Sequence, residues 1–343
     1  MKEALLSEKL PESRVRCNIC QWRCKISLKN FGVCRMYQNQ GGILYNMNYA
    51  QASSVAVDPI EKKPLFHFHP GTLAFSIGGW GCNFHCEHCQ NWQISCPSDK
   101  EPWLNSQELM PEKAIELAKA YRCQGIAWTY NEPTMWFEYT LDSVKLCKKN
   151  GLYTVYVTNG YTSPEALDTI GPYLDAWRVD IKGFSDNFYR KIARVANWRG
   201  ILDVTKKAKD KWHMHVEVVT NIIPTLNDDD EQLSGIARWI KDELGELTPW
   251  HVTRFYPQHL LTDLPATPIG TIEHAVEIGH KAGLKFVYSG NIPGSKNENT
   301  VCQNCNRTVI ERSGFEANVI GLNENKCRYC GAELNMRTGK DST

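Results

Sequence analysis

The chain has 343 residues, with 39 Lys and Arg against 38 Asp and Glu and a formal net charge of +1. That near balance offers no electrostatic footprint for nucleic acid or an acidic membrane surface, so neither is expected as a partner. At 42% hydrophobic residues the chain can bury a barrel-sized core plus small appendages, and it contains no apolar run of transmembrane length. Met1 to Lys9 is charged and lacks an apolar stretch of signal-peptide length, so a cytoplasmic location is expected. Fourteen cysteines would read as disulfides in a secreted protein, but eleven of them fall into three tight groups with metal-ligand spacing, which fits a reducing compartment.

In chain order, residues 1–70 read as a separate N-terminal module built on four cysteines. Cys17-x₂-Cys20-x₃-Cys24-x₉-Cys34 supplies four thiolates, enough to close a tetrahedral site. Zinc is the plainer assignment and a second [4Fe–4S] cluster the sharper one, and spacing does not separate them. Four ligands leave no open position, so either metal would be structural or electron-relaying. Gly41-Gly42 ahead of Ile43-Leu44-Tyr45 predicts a hairpin. His67-Phe68-His69, ahead of Pro70, reads as a packed strand edge rather than as metal ligands.

Residues 71–290 alternate short apolar runs with helical patterns. The run Leu73-Ala74-Phe75-Ser76-Ile77 predicts a strand, followed by the glycine-rich Gly78-Gly79-Trp80-Gly81 and then Cys82-x₃-Cys86-x₂-Cys89. Three thiols in eight residues can bend round one cubic [4Fe–4S] cluster, which normally takes four thiolates. A missing fourth ligand leaves one iron open, as reactive metal sites require. The plain alternative is zinc, with His85 or His88 added to the three thiolates as a fourth ligand.

Further strands are predicted at Gly125–Thr129, Tyr153–Val157, Ala176–Asp180, His215–Val219 and His251–Phe255, with a shorter one at Lys285–Tyr288. Strands so spaced, each followed by helix, predict an α/β fold: a TIM-like parallel barrel, complete or partial. A polar or glycine-bearing turn follows each of the first six: the cysteine loop, Tyr130-Asn131-Glu132, Thr158-Asn159-Gly160, Asp180-Ile181-Lys182, Thr220-Asn221 and Tyr256-Pro257-Gln258-His259. In a parallel barrel such turns gather at the C-terminal face, where active sites are built.

Residues 291–343 form a third module. Cys302-x₂-Cys305-x₂₁-Cys327-x₂-Cys330 makes two knuckles, with Asn306 and Gly331 suited to a positive φ after each pair. The pattern predicts a zinc ribbon, with rubredoxin-like iron as the alternative. Of the remaining cysteines, Cys123 and Cys147 lie in helical patterns and read as small buried hydrophobes, and Cys96 as structural.

Taken together, these motifs resemble radical SAM proteins related to the pyruvate formate-lyase activating enzymes, and more closely the AmmeMemoRadiSam-system radical SAM proteins. The likeness runs over nearly the whole length, through the cysteine quartet, Lys63–Gly71, Cys89-Gln90-Asn91-Trp92, Tyr130–Thr134, Thr158–Tyr161, Asp180-Ile181-Lys182, Pro224-x-x-Asn227-Asp228, Tyr288–Gly294 and the C-terminal ribbon. It departs from the family at His88, where Phe or Tyr is usual, and at Asn131-Glu132, where the activases carry Gly-Gly-Glu. The resemblance implies that Cys82, Cys86 and Cys89 hold the cluster and that S-adenosylmethionine fills its open iron. Reductive cleavage would then release a 5′-deoxyadenosyl radical that takes hydrogen from a substrate. It further implies Glu132 and Asn131 at the ammonium, Asn159 at the ribose or carboxylate, Asp180 and Lys182 at the ribose hydroxyls and carboxylate, and His259 at the adenosyl group. Asp180 and Lys182, two apart at a strand end, should point the same way. An electron donor such as flavodoxin or ferredoxin is implied as a partner. The substrate, a small molecule or a protein, stays open, with glycyl-radical-enzyme activation as one alternative and a non-redox zinc scaffold as another. No hydrogen-donor residue is assigned.

Overall fold

The computed structural model describes residues 1–98 and 101–339. Its centre is one eight-stranded sheet. β1 (Ser54–Pro59) pairs antiparallel with β2 (Leu73–Gly78). Six further strands then follow in chain order, all parallel: β3 (Gly125–Trp128), β4 (Tyr153–Thr158), β5 (Ala176–Asp180), β6 (His215–Ile222), β7 (Trp250–Arg254) and β8 (Val287–Gly290). Every residue of β3 and β4 is buried, as expected of strands covered on both faces.

The crossovers carry α1 (Pro111–Ala120), α2 (Phe137–Lys149), α3 (Pro164–Ile170), α4 (Arg199–Asp210), α5 (Asp230–Trp239) and α6 (Ile269–Ala282). Local chemistry sets several of their starts. The Ser163 hydroxyl accepts from Ala166 N with Pro164 in the first turn, and Asp229 accepts from Gln232 N. Cys147 is buried on α2 as expected, but Cys123 sits in the turn beyond α1, its N–H held by the Ala118 carbonyl.

Among the described residues no ladder joins β1 to β8, so the barrel is open between these two edges. The sequence reading placed β1 ahead of the barrel; its alternating Ser-Val-Ala-Val register makes it an edge strand, with Val55 and Val57 exposed. The chain after it turns under the barrel. Phe66 packs edge-on to His251, Phe68 to Tyr153, and the buried carboxylate of Glu217 on β6 accepts the N–H groups of both Phe66 and His67. His67 lies within this plug, its ring between the Leu334 carbonyl and the Tyr288 hydroxyl. A buried backbone that has left its sheet needs such acceptors, and Glu217 supplies them.

The N-terminal module contains the expected hairpin, Tyr37–Gln40 against Ile43–Asn46, with Gly41 and Gly42 at φ +64° and +84°. It is fastened to the barrel by Glu138 of α2, whose buried carboxylate accepts from Leu5 N, the Tyr37 hydroxyl and Asn46 Nδ2. The C-terminal module is an antiparallel sheet of Thr300–Val301, Thr308–Ser313 and Glu316–Val319 beside the two knuckles. Its buried Arg312 donates to the Phe66 carbonyl and lies over the Phe66 ring at 4.0 Å, joining the tail to the plug.

Candidate active site and metal centres

The turns at the C-terminal ends of β2 to β8 surround a cavity of about 590 Å³. Cys82, Cys86 and Cys89 line it from the loop after β2, Glu132 and Asn159 from the next turns, and Lys182 from the end of β5. Asn131 and Asp180 line it as well, so five of the six residues expected at the cofactor come together with the three thiols. His259 does not line this cavity. It stacks on Trp92 at 5.2 Å, on the outer side of the cysteine loop, where Leu260 N donates to the Glu87 carbonyl.

Local hydrogen bonds shape the cysteine loop. Asn131 Nδ2 donates to the Gly81 carbonyl and Asn91 Nδ2 to the Tyr130 carbonyl, so the loop and the turn after β3 hold each other. Phe84 N lies 3.4 Å from Cys82 Sγ, and Asn159 Nδ2 lies 3.6 Å from it. Such donors favour thiolate over thiol. Burial and the nearby Glu132 push the Cys82 thiol well up, and burial raises Cys86 to about 12 even against Lys182, so both are protonated until a cation draws off the proton.

Glu132 is buried and fully used. Its Oε1 accepts from Thr134 N, Thr134 Oγ1 and Thr158 Oγ1, and its Oε2 from Asn159 N at 2.8 Å. The carboxylate therefore fastens the turn after β3 to the turn after β4.

Asp180 stands between two cations, Arg178 and Lys182, the latter at 2.9 Å. The three alternate along β5 and its extension, and all face the cavity, as period two requires. Burial works against the Asp180 carboxylate, yet Arg178 and Lys182 hold it down to about 2. Asp180 in turn holds the Lys182 ammonium above its ordinary range despite its burial.

Buried polar atoms of the cavity lining without a hydrogen-bond partner include His88 Nδ1 and Arg178 Nε. Burial lowers His88 to about 3, so its ring is neutral. A polar ligand among thiols and unsatisfied donors is what this arrangement accommodates. The donor set fits an iron–sulfur cluster. His85 is exposed and its Nδ1 lies 3.3 Å from Cys96 Sγ, and among the described residues neither His85 nor His88 joins the three thiols in a group of ligand atoms within 4.8 Å.

Some cavity residues were not singled out in the sequence. Arg178 was signalled by its spacing from Asp180. Lys63, paired with Asp58 at 2.6 Å and lowered to about 8 by burial, comes from the plug; the Lys63–Gly71 motif contained it, but no role was read for it. His251 and Glu298 likewise line the cavity from separate parts of the chain.

The two cysteine quartets differ in geometry. In the tail, Cys302 and Cys330 lie 3.6 Å apart and Cys305 and Cys327 3.7 Å apart, and all four ligand atoms fall within 4.8 Å of one another. Burial, and then the nearby Cys20, Cys34 and Cys24, push the Cys17 thiol up, and among the described residues no three of these N-terminal thiols gather into a group as tight as the tail's.

The fold is thus an open parallel α/β barrel with a loop of three free thiols at the end of its first parallel strand. The profile of the Radical SAM superfamily matches residues 77–240. An uncharacterised protein of Methanocaldococcus jannaschii is 43% identical over 339 residues, covering 98% of this chain and 99% of its own. A pyruvate formate-lyase-activating enzyme of Clostridium pasteurianum is 30% identical over 185 residues, 50% of this chain and 72% of that protein. The crystal structure of a radical SAM methyltransferase from Sphaerobacter thermophilus matches with a TM-score of 0.50 at 14% identity, over 65% of this chain and 67% of that one, a likeness of fold alone. The chain belongs to the radical SAM superfamily and is an enzyme of that class.

Proposed function

We propose that Cys82, Cys86 and Cys89 hold a [4Fe–4S] cluster, that S-adenosylmethionine binds beside it, and that the enzyme takes hydrogen from a small polar substrate deeper in the same cavity. The observation that carries this reading is the opening of three free thiols onto one cavity with Lys182, Asp180 and Asn159. When bound, the cluster and S-adenosylmethionine supply, with one electron from a donor such as flavodoxin or ferredoxin, a 5′-deoxyadenosyl radical.

The chain's own residues bind and orient. Asp180 and Lys182 present a carboxylate to ribose hydroxyls and an ammonium to the methionine carboxylate. Asn159 supports the Cys82 sulfur, and the Asn131 side chain meets the ammonium. Glu132 acts through Asn159 and Thr134 as a positioning residue, since its oxygens are taken. His259 bears on the adenosyl group only through Trp92 and the cysteine loop.

The small-substrate reading is supported by the tail: Glu298, Gly314 and Phe315 help to wall the cavity. The competing reading, activation of a glycyl-radical enzyme, is favoured by the Clostridium relative. In either case the chain divides into the four-cysteine module at residues 1–70, the core at 71–290 with β1 lent to its sheet, and the tail at 291–343. For the tail quartet we favour zinc. Zn–S bonds of about 2.3 Å place tetrahedral sulfurs about 3.8 Å apart, close to the two separations found. Among the described residues no helix is long and apolar enough to cross a membrane. The free thiols favour the reducing cytoplasm.

The test is anaerobic reconstitution followed by absorption and EPR spectroscopy. A reduced signal that changes on adding S-adenosylmethionine, with 5′-deoxyadenosine formed and both lost in Cys82→Ala, is expected. A colourless zinc-only protein would overturn the reading. Phe315→Ala separates the substrate classes: it should weaken turnover of a small substrate and leave activation of a glycyl-radical protein unaffected or faster.

A further inference from the structure

Residues 81–83 of the cysteine loop are wedged into the N-terminal quartet. A Cβ on Gly81 would stand 2.8 Å from the Cys34 carbonyl oxygen and 2.5 Å from Met36 Cγ, and Gly81 holds φ at +77°. Trp22, between Cys20 and Cys24, donates its indole N–H to the Asn83 carbonyl at 2.7 Å. Asn83 is wholly buried; its Oδ1 accepts from Asn159 Nδ2 at 2.7 Å, and its Nδ2 has no conventional partner. That amide adjoins the Cys20 thiol. One residue, covalently next to Cys82, thus spans from one thiol set to the other.

The module is clamped in this position. Gln21 Nε2 donates to the Thr162 and Gly200 carbonyls, Gln21 N to the Tyr161 carbonyl, and Ser163 Oγ to the Asn18 carbonyl. The quartet therefore sits against the turns after β2 and β4, behind the cavity.

We propose that Cys17, Cys20, Cys24 and Cys34 hold a second [4Fe–4S] cluster, not zinc, which passes electrons to the cluster on Cys82, Cys86 and Cys89. That no three of its thiols, among the described residues, gather into a group as tight as the tail's is the first reason. Around one zinc ion all four sulfurs crowd together as in the tail, whereas in a cubic cluster each thiolate binds its own iron and the sulfurs stand further apart. The unpartnered Asn83 Nδ2 is the second reason, since N–H donors to cluster sulfurs are a main means by which a protein sets a cluster's potential. The half-buried Cys24 gives the outer edge for entry of the electron. Held there, such a cluster would take one electron from a low-potential one-electron donor and give it up to the cavity cluster, with no bond or proton exchanged between the two.

The relay rests on the proposed role of Cys82, Cys86 and Cys89, whereas the second cluster does not, and the experiment keeps the two apart. The full chain is reconstituted anaerobically with iron, sulfide and zinc, reduced with dithionite, and analysed for metals and by EPR. About eight iron and one zinc per chain are expected, the sum of two cubic clusters and the tail site. The triple variant Cys82→Ala, Cys86→Ala, Cys89→Ala should keep about half of that iron, with a reduced signal that S-adenosylmethionine does not alter. The wild-type spectrum should be broadened by magnetic coupling of the two reduced clusters, which the triple variant lacks. A wild type with about four iron and two zinc, or a triple variant devoid of iron, overturns the second cluster. A wild-type spectrum equal to the sum of two isolated clusters overturns the relay. Loss of no iron in the triple variant would instead sink the cavity cluster.

Discussion

Trp22 and Asn83, sixty-one residues apart, are joined by an indole N–H to carbonyl bond of 2.7 Å that ties the N-terminal module to the cysteine loop. Trp22→Phe keeps the ring but leaves that carbonyl without its donor, at a cost of about 1–2 kcal/mol. The expected result is a lower urea midpoint with an unchanged denaturant slope. An unchanged midpoint would show that the module is held elsewhere.

Gly81→Ala should do more. The substitution strains a backbone at φ +77° and drives a methyl group against the fixed Cys34 carbonyl, which cannot rotate away. A loss of about 1–3 kcal/mol is expected from the backbone strain alone. Because the methyl parts the two thiol sets, iron retained after reconstitution should also fall. Wild-type iron content in a destabilised Gly81→Ala protein would contradict the shared wedge.

Acid sensitivity should come in part from the plug. His67 is neutral, donating from Nδ1 to the Leu334 carbonyl and accepting from the Tyr288 hydroxyl at Nε2, and burial lowers it to about 3 from an ordinary 6.5. Its contribution to stability is whole above the unfolded value and is lost as pH falls toward the folded one, because only the unfolded chain takes up the proton in that window. One such proton amounts to about 1.4 kcal/mol per pH unit. His67→Gln should therefore be less stable at neutral pH but flatter between about pH 6 and pH 4, as read from unfolding midpoints across that range. Parallel pH profiles for the two proteins would refute the assignment.

The tail should not melt as an independent unit. Arg312 reaches the Phe66 carbonyl, and Phe66, Phe286 and Tyr288 share a buried cluster with Cys302 and Cys327. With zinc in the tail quartet, as proposed, Cys302→Ser with Cys305→Ser should release it and also lower the main unfolding transition, since metal binding and folding are coupled. A separate early transition with the main one unmoved would show that the plug holds without the tail.

Replacing Asp180 tests the cation pair at the cavity. Asp180→Asn leaves Arg178 and Lys182 adjacent without the carboxylate between them. Affinity for S-adenosylmethionine, measured by calorimetry, should drop about tenfold or more, on the order of 1.4 kcal/mol for one lost charged contact. An unchanged affinity would place the ribose elsewhere.

Much of the placement of these residues was legible because it is local. The three thiols follow β2 within a few residues, the tail knuckles repeat a two-residue gap, and Asp180 and Lys182 share a face through strand periodicity alone. The order of the parallel strands was legible too, since alternation of strand and helix winds neighbours side by side. Tertiary structure decided what depends on distance through space. Glu132 has the type and position of a ligand to an ammonium, but only packing brings Thr134, Thr158 and Asn159 N to consume its oxygens. The plug under the barrel was hidden because Glu217, which anchors it, lies some one hundred and fifty residues away. Spacing pointed to zinc at the paired knuckles of the tail but left the N-terminal quartet open, for a run of cysteines states how many thiolates are available but not how far apart their sulfurs stand. That separation is fixed by the loops that carry them and by what they pack against, and here one quartet closes on itself while the other folds against the cysteine loop of the cavity.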